Sequence, residues 1–349
     1  MDDRSVQFKR LDDFNLYDAE TVKLILRGES VVEWHRLNME TAQQARELLE
    51  AMEFRPDEPP DRARLDKIKN EATSYLRRHF SFPIPKPVER ASVEELMLMA
   101  SGKGHRQLCA CAILKAMHIV HHVECRELGF TLPMSMQGVF GLVEEKVYRV
   151  IGDMLACGYP VVEFIGGRKN RDSLYTKLLS KVNTTAANVY DRIRFRIVMR
   201  SVDDVLPTVL YLSRRLFPFH QVVPGQSLNT VFRLKSYFAK LPMLQGLLPA
   251  FQIPLDDELT TTDNVFSARA FRAVHFVADV PIRLPDSLLD AAPNDVWALG
   301  PVLSVLSEFQ IVDRETELTN ELGDGSHAAY KNRQKQAVIN KLRLKPKSR

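Results

Sequence analysis

Asp191–Met199 of this 349-residue chain reads DRIRFRIVM, a run in which arginines and apolar residues alternate with a period of two. Such alternation is typical of a β-strand with one buried and one polar face. Arg192, Arg194 and Arg196 then share one face, which is costly unless solvent, acids or phosphates meet the three cations. The run therefore predicts a half-buried strand whose polar face contacts water or anionic groups.

Neighbouring segments alternate between strand and helix patterns. Short apolar or period-two runs predict strands, and amphipathic runs with a period near 3.6 residues predict helices. The predicted strands are Val161–Ile165, Arg192–Met199, Phe271–Val280 and Val302–Val312, and the predicted helices are Asp172–Val182, Asp203–Phe217 and Ser326–Leu342.

The first 150 residues carry helical patterns separated by proline-rich stretches. These patterns cover Ala19–Leu26, Glu40–Met52, Ala63–His79, Gly104–Leu128 and Met134–Cys157. The order predicts an α+β fold, in which a mixed β-sheet domain flanked by helices follows an all-α N-terminal domain. We expect the helical domain over residues 1–157, the sheet domain over 158–335 and a basic tail over 336–349.

Composition excludes several classes of protein. Hydrophobic residues make up 45% of the chain and charged residues 26%, which argues against wholesale disorder. No run of about 18 uncharged apolar residues occurs, and the start MDDRSVQFKR lacks an apolar signal core. The four cysteines fit reduced thiols. We therefore expect a cytoplasmic protein that does not span a membrane, with its oligomeric state open.

The net charge of +4 conceals a basic end, because the chain from Lys331 onward carries eight Lys or Arg residues and no acid. Such a tail can contact RNA or another polyanion. The same charges also suit a solvated helix end, and the sequence leaves both interpretations open.

Residues 166–177 combine glycines, cations and a predicted helix start. Gly166-Gly167 predicts a tight turn, and Asp172 is a candidate N-cap. A helix N-terminus attracts anions through its backbone N–H groups and its dipole. Ser173 and Lys177 lie four residues apart and share one helix face. The adjacent cations are Arg168, Lys169 and Arg171, so the segment predicts a polyphosphate site, the alternative being a solvated turn with surface cations.

Two acids stand on predicted strands. Glu308 shares the more polar face of its strand with Gln310, while Phe309 points into the core, and Asp191 begins the arginine-rich strand. Two carboxylates on one sheet can hold Mg²⁺, which prefers oxygen ligands and substrate phosphates. Glu308 can alternatively act as a base toward a hydroxyl. As isolated acids, both would more often be edge charges.

Phe271 and His275 are predicted to share one face of a strand, roughly 13 Å apart. The spacing suits an aromatic ring stacked on a base and an imidazole near a phosphate or ribose. An ordinary packed strand is the alternative.

Four potential zinc ligands, Cys111, His118, His122 and Cys125, lie along one side of a predicted helix. A zinc site needs ligands that converge from different directions, which one straight helix rarely provides. We therefore expect these side chains to form a buried row and not a metal site.

These segments occur in the order found in RelA/SpoT-type alarmone synthetase domains, and the chain resembles a divergent member of that nucleotidyltransferase-like family over about residues 158–335. Five segments carry the resemblance: Lys169…Ser173…Lys177; Asp191 with Arg196; Ala270-Phe271-Arg272-Ala273-Val274-His275; Glu308-Phe309-Gln310-Ile311-Val312; and Ala328-Ala329-Tyr330-Lys331.

The resemblance implies an ATP:GDP/GTP pyrophosphotransferase. By analogy, the ATP polyphosphate lies on Arg168, Lys169, Ser173, Lys177 and Arg196, and Mg²⁺ is held by Asp191 and Glu308, with Glu308 also promoting deprotonation of the acceptor hydroxyl. The acceptor nucleotide is then contacted by Phe271, Arg272, His275 and Gln310.

The chain also departs from the family pattern. Phe271 replaces the usual tyrosine, Ala270 replaces a glycine, and residues 221–268 form a longer connection that lacks the usual acceptor loop. No His-Asp pair of the family's hydrolase type is found in the N-terminal half, so synthesis without hydrolysis is expected. Two alternatives remain, a transferase acting on the tRNA 3′ end and a catalytically silent nucleotide-binding or scaffold module.

Overall fold

The computed structural model describes residues 8–180, 192–259, 271–292, 296–322 and 326–343. The N-terminal part of the chain is helical, as predicted. Side chains cap several helix starts: Thr41 accepts a hydrogen bond from Gln44 N, and Ser92 accepts one from Glu95 N. The helices of this part are α1 (Leu16–Arg27), α2 (Ala42–Ala51), α3 (Pro59–Phe80), α4 (Lys86–Arg90), α5 (Val93–Ser101), α6 (His105–Thr131) and α7 (Met136–Ala156).

The second part of the chain alternates strands and helices. Its elements are β1 (Val161–Arg168), α8 (Arg171–Ser180), β2 (Ile193–Met199), α9 (Val205–Arg215), β3 (Leu228–Asn229), α10 (Leu234–Lys240), α11 (Pro242–Gln245), β4 (Val274–Arg283), α12 (Asp286–Asp290), β5 (Val302–Asp313), α13 (Arg314–Leu322) and α14 (His327–Arg343).

The strands form one mixed sheet in the order β1-β2-β5-β4-β3. Strand β2 runs parallel to β5, and the other neighbouring strands are antiparallel. A mixed sheet preceded by helices confirms the predicted α+β class.

Packed aromatic rings cover one face of the sheet. Phe195 stacks on Phe309 with ring centroids 5.4 Å apart, and Phe276 stacks on Phe309 at 5.6 Å. Phe217, which follows α9, contacts Phe309 at 5.2 Å. This inner face and the N-terminal helices share one continuous cluster of buried side chains, so the core extends across the expected boundary at residue 158.

Three local details correct the sequence analysis. The strand continues through Gly166 and Gly167, which pair with Phe195 and Arg194, so the expected turn is absent there. A Cβ atom on Gly166 would lie 2.8 Å from the Tyr148 hydroxyl, which explains why glycine occupies this strand position.

The N-cap of α8 is Asn170, whose Oδ1 accepts a hydrogen bond from Ser173 N at 2.8 Å, and Asp172 lies inside the helix. Strand β4 begins at Val274, three residues later than predicted, and continues to Arg283.

Within the described residues, α6 is the one helix long and apolar enough to cross a membrane, and 44% of its most apolar window is buried inside the protein. It packs against α3 and α5.

Candidate functional site

The face of the sheet opposite the aromatic core carries the polar groups; we call it the open face. Arg194 pairs in register with Glu308, and Arg196 pairs with Gln310, which in turn pairs with His275. Side chains at paired positions lie on the same side of a sheet, so β2, β5 and β4 bring these five residues together. Arg194 is exposed and the other four are partly exposed. The sequence-based orientation of Glu308 and Gln310 is confirmed.

Glu308 and His275 contact each other directly. His275 Nε2 lies 3.0 Å from Glu308 Oε1, and the two side chains are 26% and 19% exposed. They stand on adjacent strands, one step diagonal to the paired positions. From the sequence, the imidazole was expected near a phosphate or ribose, and its contact with this carboxylate was not predicted.

Arg196 is held by an acid from another element. Its Nη2 atom forms an ion pair with Oε2 of Glu317, whose side chain is 9% exposed. Burial raises the pKa of Glu317, and the Arg196 charge opposes that rise. Among the described residues, no partner contacts the buried Arg196 Nε. The guanidinium thus has an internal counter-ion and one unused donor.

Asn320 fixes the segment that precedes β4. Its Oδ1 accepts a hydrogen bond from Arg272 N at 2.9 Å, and its Nδ2 donates to Arg272 O at 2.7 Å. Phe271 packs on the open face against Val198 and Val312. Although Phe271 precedes the strand instead of belonging to it, it lies on the same face as His275.

Helix α13 therefore anchors two parts of the open face through residues three positions apart, Glu317 and Asn320. Sequence reasoning missed both residues, because α13 was not among the predicted helices. The signal was the run RETELTNEL, whose buried residues, Glu317 and Asn320, share one helical face.

The predicted polyphosphate residues begin at the end of β1. Lys169 N donates to Arg192 O at 2.8 Å, which ties this turn to the start of β2. Ser173 and Lys177 lie four positions apart in α8 and are partly exposed. Their roles stay predictions.

Arg168 does not join the open face. Its register partner is Ile193, a core-facing residue, so Arg168 points to the opposite side of the sheet. There it forms two hydrogen bonds with Glu144 of α7, at 2.8 and 2.6 Å, and one with Gln137 at 2.5 Å. Because the strand continues through the two glycines, Arg168 is itself a strand residue, and its side chain lies on the face opposite the predicted phosphate site.

Asp191 lies outside the described residues, as does Ala270. Proximity between Asp191 and Glu308 therefore stays a prediction. Within the described ranges, no group of three or more His, Cys, Asp or Glu side chains could hold a metal ion. Of the two predicted magnesium ligands, Glu308 lies on the open face with a carboxylate of the kind that Mg²⁺ prefers, and the magnesium site itself stays a prediction.

The basic tail begins in the described part of the chain. Residues 336–343 form the end of α14, which packs on α8, and Lys341 Nζ donates to Leu179 O at 3.0 Å. Residues 336–343 thus lie beside the helix that carries Ser173 and Lys177.

Comparison with known proteins gave structural neighbours only. No family model matches the sequence, and no curated protein matches it. Small alarmone synthetase 1 from Bacillus subtilis is 15% identical, with a TM-score of 0.30 over 64% of this chain and 88% of the neighbour. Small alarmone synthetase 2 from the same organism is 14% identical, with a TM-score of 0.30 over 62% and 97%. A GTP pyrophosphokinase family protein from Streptococcus pneumoniae is 14% identical, with a TM-score of 0.30 over 60% and 90%. These neighbours belong to the family whose motif order this chain resembles.

Proposed function

We propose that the protein transfers the β,γ-pyrophosphate of ATP to the ribose 3′-hydroxyl of GDP or GTP, without hydrolysing the product. The observation that carries the proposal is the open face, where Arg196, Glu308 and His275 come together from three adjacent strands. The order of these residues along the chain, which resembles that of alarmone synthetase domains, supports the choice of this reaction over other phosphoryl transfers.

In the reaction, the acceptor 3′-oxygen attacks the β-phosphorus of ATP. The bond between that phosphorus and the oxygen bridging to the α-phosphorus breaks, and AMP leaves with the bridging oxygen. The hydroxyl proton passes to the carboxylate of Glu308, and the imidazole of His275, 3.0 Å from that carboxylate, stabilises its charge. Catalysis of this kind depends mainly on alignment and on neutralising the charge of the transferred group.

The remaining residues divide between the two substrates. Lys169, Ser173, Lys177 and Arg196 hold the triphosphate of ATP. The acceptor is held by Phe271, whose ring stacks on the base, and by Arg272 and Gln310. Mg²⁺ held by Glu308 and Asp191 would supply positive charge against the polyphosphate when bound. Arg196 must exchange Glu317 for a phosphate oxygen, and it keeps its Nε donor available for a second contact.

The test is incubation of the purified protein with ATP labelled in the β-phosphate, Mg²⁺ and one acceptor at a time: GDP, GTP, ADP or tRNA. Chromatography should detect a labelled 3′-pyrophosphorylated nucleotide and an equal amount of AMP. Glu308→Gln should abolish the product. Glu144→Gln is the matched control, because Glu144 lies with Arg168 on the other side of the sheet.

Each other outcome has a distinct meaning. Label on tRNA alone, lost at raised salt, would replace the nucleotide acceptor with RNA. Nucleotide binding with no transfer to any acceptor would refute the enzyme and favour the silent module.

A further inference from the structure

A cavity of about 50 Å³ lies mainly among the N-terminal helices, and none of its lining residues belongs to the open face. Its walls are contributed by α2, α3, α5, α6 and the turn around His220. They are overwhelmingly apolar; the lining residues used below are Trp34, Met52, Met97, Leu114, Met117, His118 and His220.

Two polar atoms on the lining residues lack partners. Among the described residues, neither Trp34 Nε1 nor His118 Nδ1 has a hydrogen-bond partner, although both atoms are buried. Trp34 itself is only 6% exposed. An indole N–H can only donate, and leaving it unpaired in the interior is unfavourable. One residue that lines the cavity therefore carries a buried donor without an acceptor.

Two histidines of the cavity lining contact each other. His118 and His220 are partly exposed, whereas most other lining residues are buried, and their rings meet edge to face with centroids 5.0 Å apart. Burial lowers the pKa of His118 to about 4, and it lowers the pKa of His220 as well. Both imidazoles are therefore neutral at pH 7, and the site offers no counter-charge to an ion.

The cavity lining offers too few polar groups to satisfy the hydrogen bonds of several buried waters. By volume the cavity has room for about four water-sized groups, and each buried water needs two to four polar partners. An alkyl group, by contrast, can pack against Leu114 and the methionines. Met52, Met97 and Met117 are flexible and can adjust to a guest's shape.

We propose that this cavity binds a small uncharged aliphatic alcohol of about four or five heavy atoms. Its hydroxyl oxygen accepts a hydrogen bond from Trp34 Nε1 and its proton is available to the imidazole of His118, while its alkyl chain lies among the leucines and methionines. The site is separate from the nucleotide site, so its existence does not depend on the proposed enzymatic function.

The test uses the natural pair of tryptophans. The chain has two, Trp34 and Trp297, and the second is 47% exposed. In the Trp297→Phe variant the fluorescence comes from Trp34 alone. Titration with ethanol, 1-propanol and 1-butanol should shift its emission saturably, with affinity increasing about fourfold for each added methylene. Affinity should stop rising beyond 1-butanol, when the cavity is full, and butyrate and butylammonium should not bind.

A second variant isolates the hydrogen bond. Trp34→Phe in the otherwise native chain should weaken 1-butanol binding about fivefold, measured by NMR line broadening of the ligand, whereas Trp297→Phe should not change it. A strictly linear, unsaturable response, equal binding of butyrate, or undiminished affinity in folded Trp34→Phe protein would overturn the proposal. A crystal structure soaked in 1-butanol that shows only ordered waters in the cavity would do so as well.

Discussion

His275 Nε2 lies 3.0 Å from Glu308 Oε1, across the boundary between β4 and β5. Both side chains keep part of their surface exposed on the open face, so the pair can meet a substrate while the two groups stay in contact. A carboxylate and an imidazole in contact form a unit that can accept a proton and hold it. The contact gives the proposed reaction a base, Glu308, with an imidazole beside it that can stabilise its charge.

For this pair, we expect Glu308→Gln to reduce the rate constant of pyrophosphate transfer by about 10²- to 10⁴-fold, because the base is lost. His275→Gln should reduce it less, since Gln keeps a donor near the carboxylate. Single-turnover transfer from labelled ATP measures both. If His275→Gln and Glu308→Gln each leave transfer at the native rate, the pair has no part in the chemistry.

The Arg196–Glu317 pair predicts a pH-dependent loss of stability. Arg196→Gln leaves a mostly buried carboxylate without its cation, a change that costs about 3–5 kcal/mol when the acid stays charged. Burial raises the pKa of Glu317 above its unfolded value, so the associated stability is present at low pH and is lost as pH rises through the folded-state pKa.

Urea unfolding of Arg196→Gln should therefore show a larger deficit against the native protein at pH 8 than at pH 5. Arg194→Gln is the control, because Arg194 is exposed on the same strand. A deficit that does not change with pH would mean that Glu317 is not the unpaired group.

Asn320→Ala should loosen the segment that presents Phe271, because two hydrogen bonds to the Arg272 backbone disappear. We expect the KM for the acceptor nucleotide to rise about tenfold, with the KM for ATP nearly unchanged. Thr319→Ala, which alters an exposed neighbour on α13, serves as the control. An equal rise in both KM values would indicate general damage to the helix.

Buried neutral histidines predict acid lability. Burial lowers the pKa of His118 to about 4 and that of His121 to about 3, whereas both titrate near 6.5 in the unfolded chain. Both groups have depressed folded-state pKa values, so the unfolded state binds more protons as pH falls below about 6.5, and stability falls with it.

For each histidine we expect a loss of about 2 kcal/mol or less between pH 7 and pH 5. Denaturant unfolding of His121→Gln should show a flatter pH dependence than the native protein, while His79→Gln, at an exposed site, should follow the native curve. Parallel curves for all three proteins would contradict the assignment.

Sequence reasoning succeeded where a periodic pattern decided the outcome. The alternation of Arg194 and Arg196 with buried residues, and the polar face of Glu308, both follow from a period of two. It failed at Gly166 and Gly167, because pairing with β2 extends the strand through residues that usually favour a turn.

The contacts of the open face required tertiary information. Strand order places β4 beside β5 and thereby brings His275 to Glu308, and no local pattern encodes that order. Glu317 and Asn320 were missed because their partners, Arg196 and Arg272, are 121 and 48 residues away.

The continuous core also determines how the protein tolerates shortening. The rings of Phe195, Phe276 and Phe309 belong to one buried cluster that also includes side chains of the N-terminal helices, so part of the apolar cover of the sheet comes from those helices. In a fragment that starts at residue 158, apolar side chains that normally pack on these helices would be exposed to water, and we expect the fragment to self-associate. The helices are thus part of the same cooperative folding unit as the sheet that bears the chemistry.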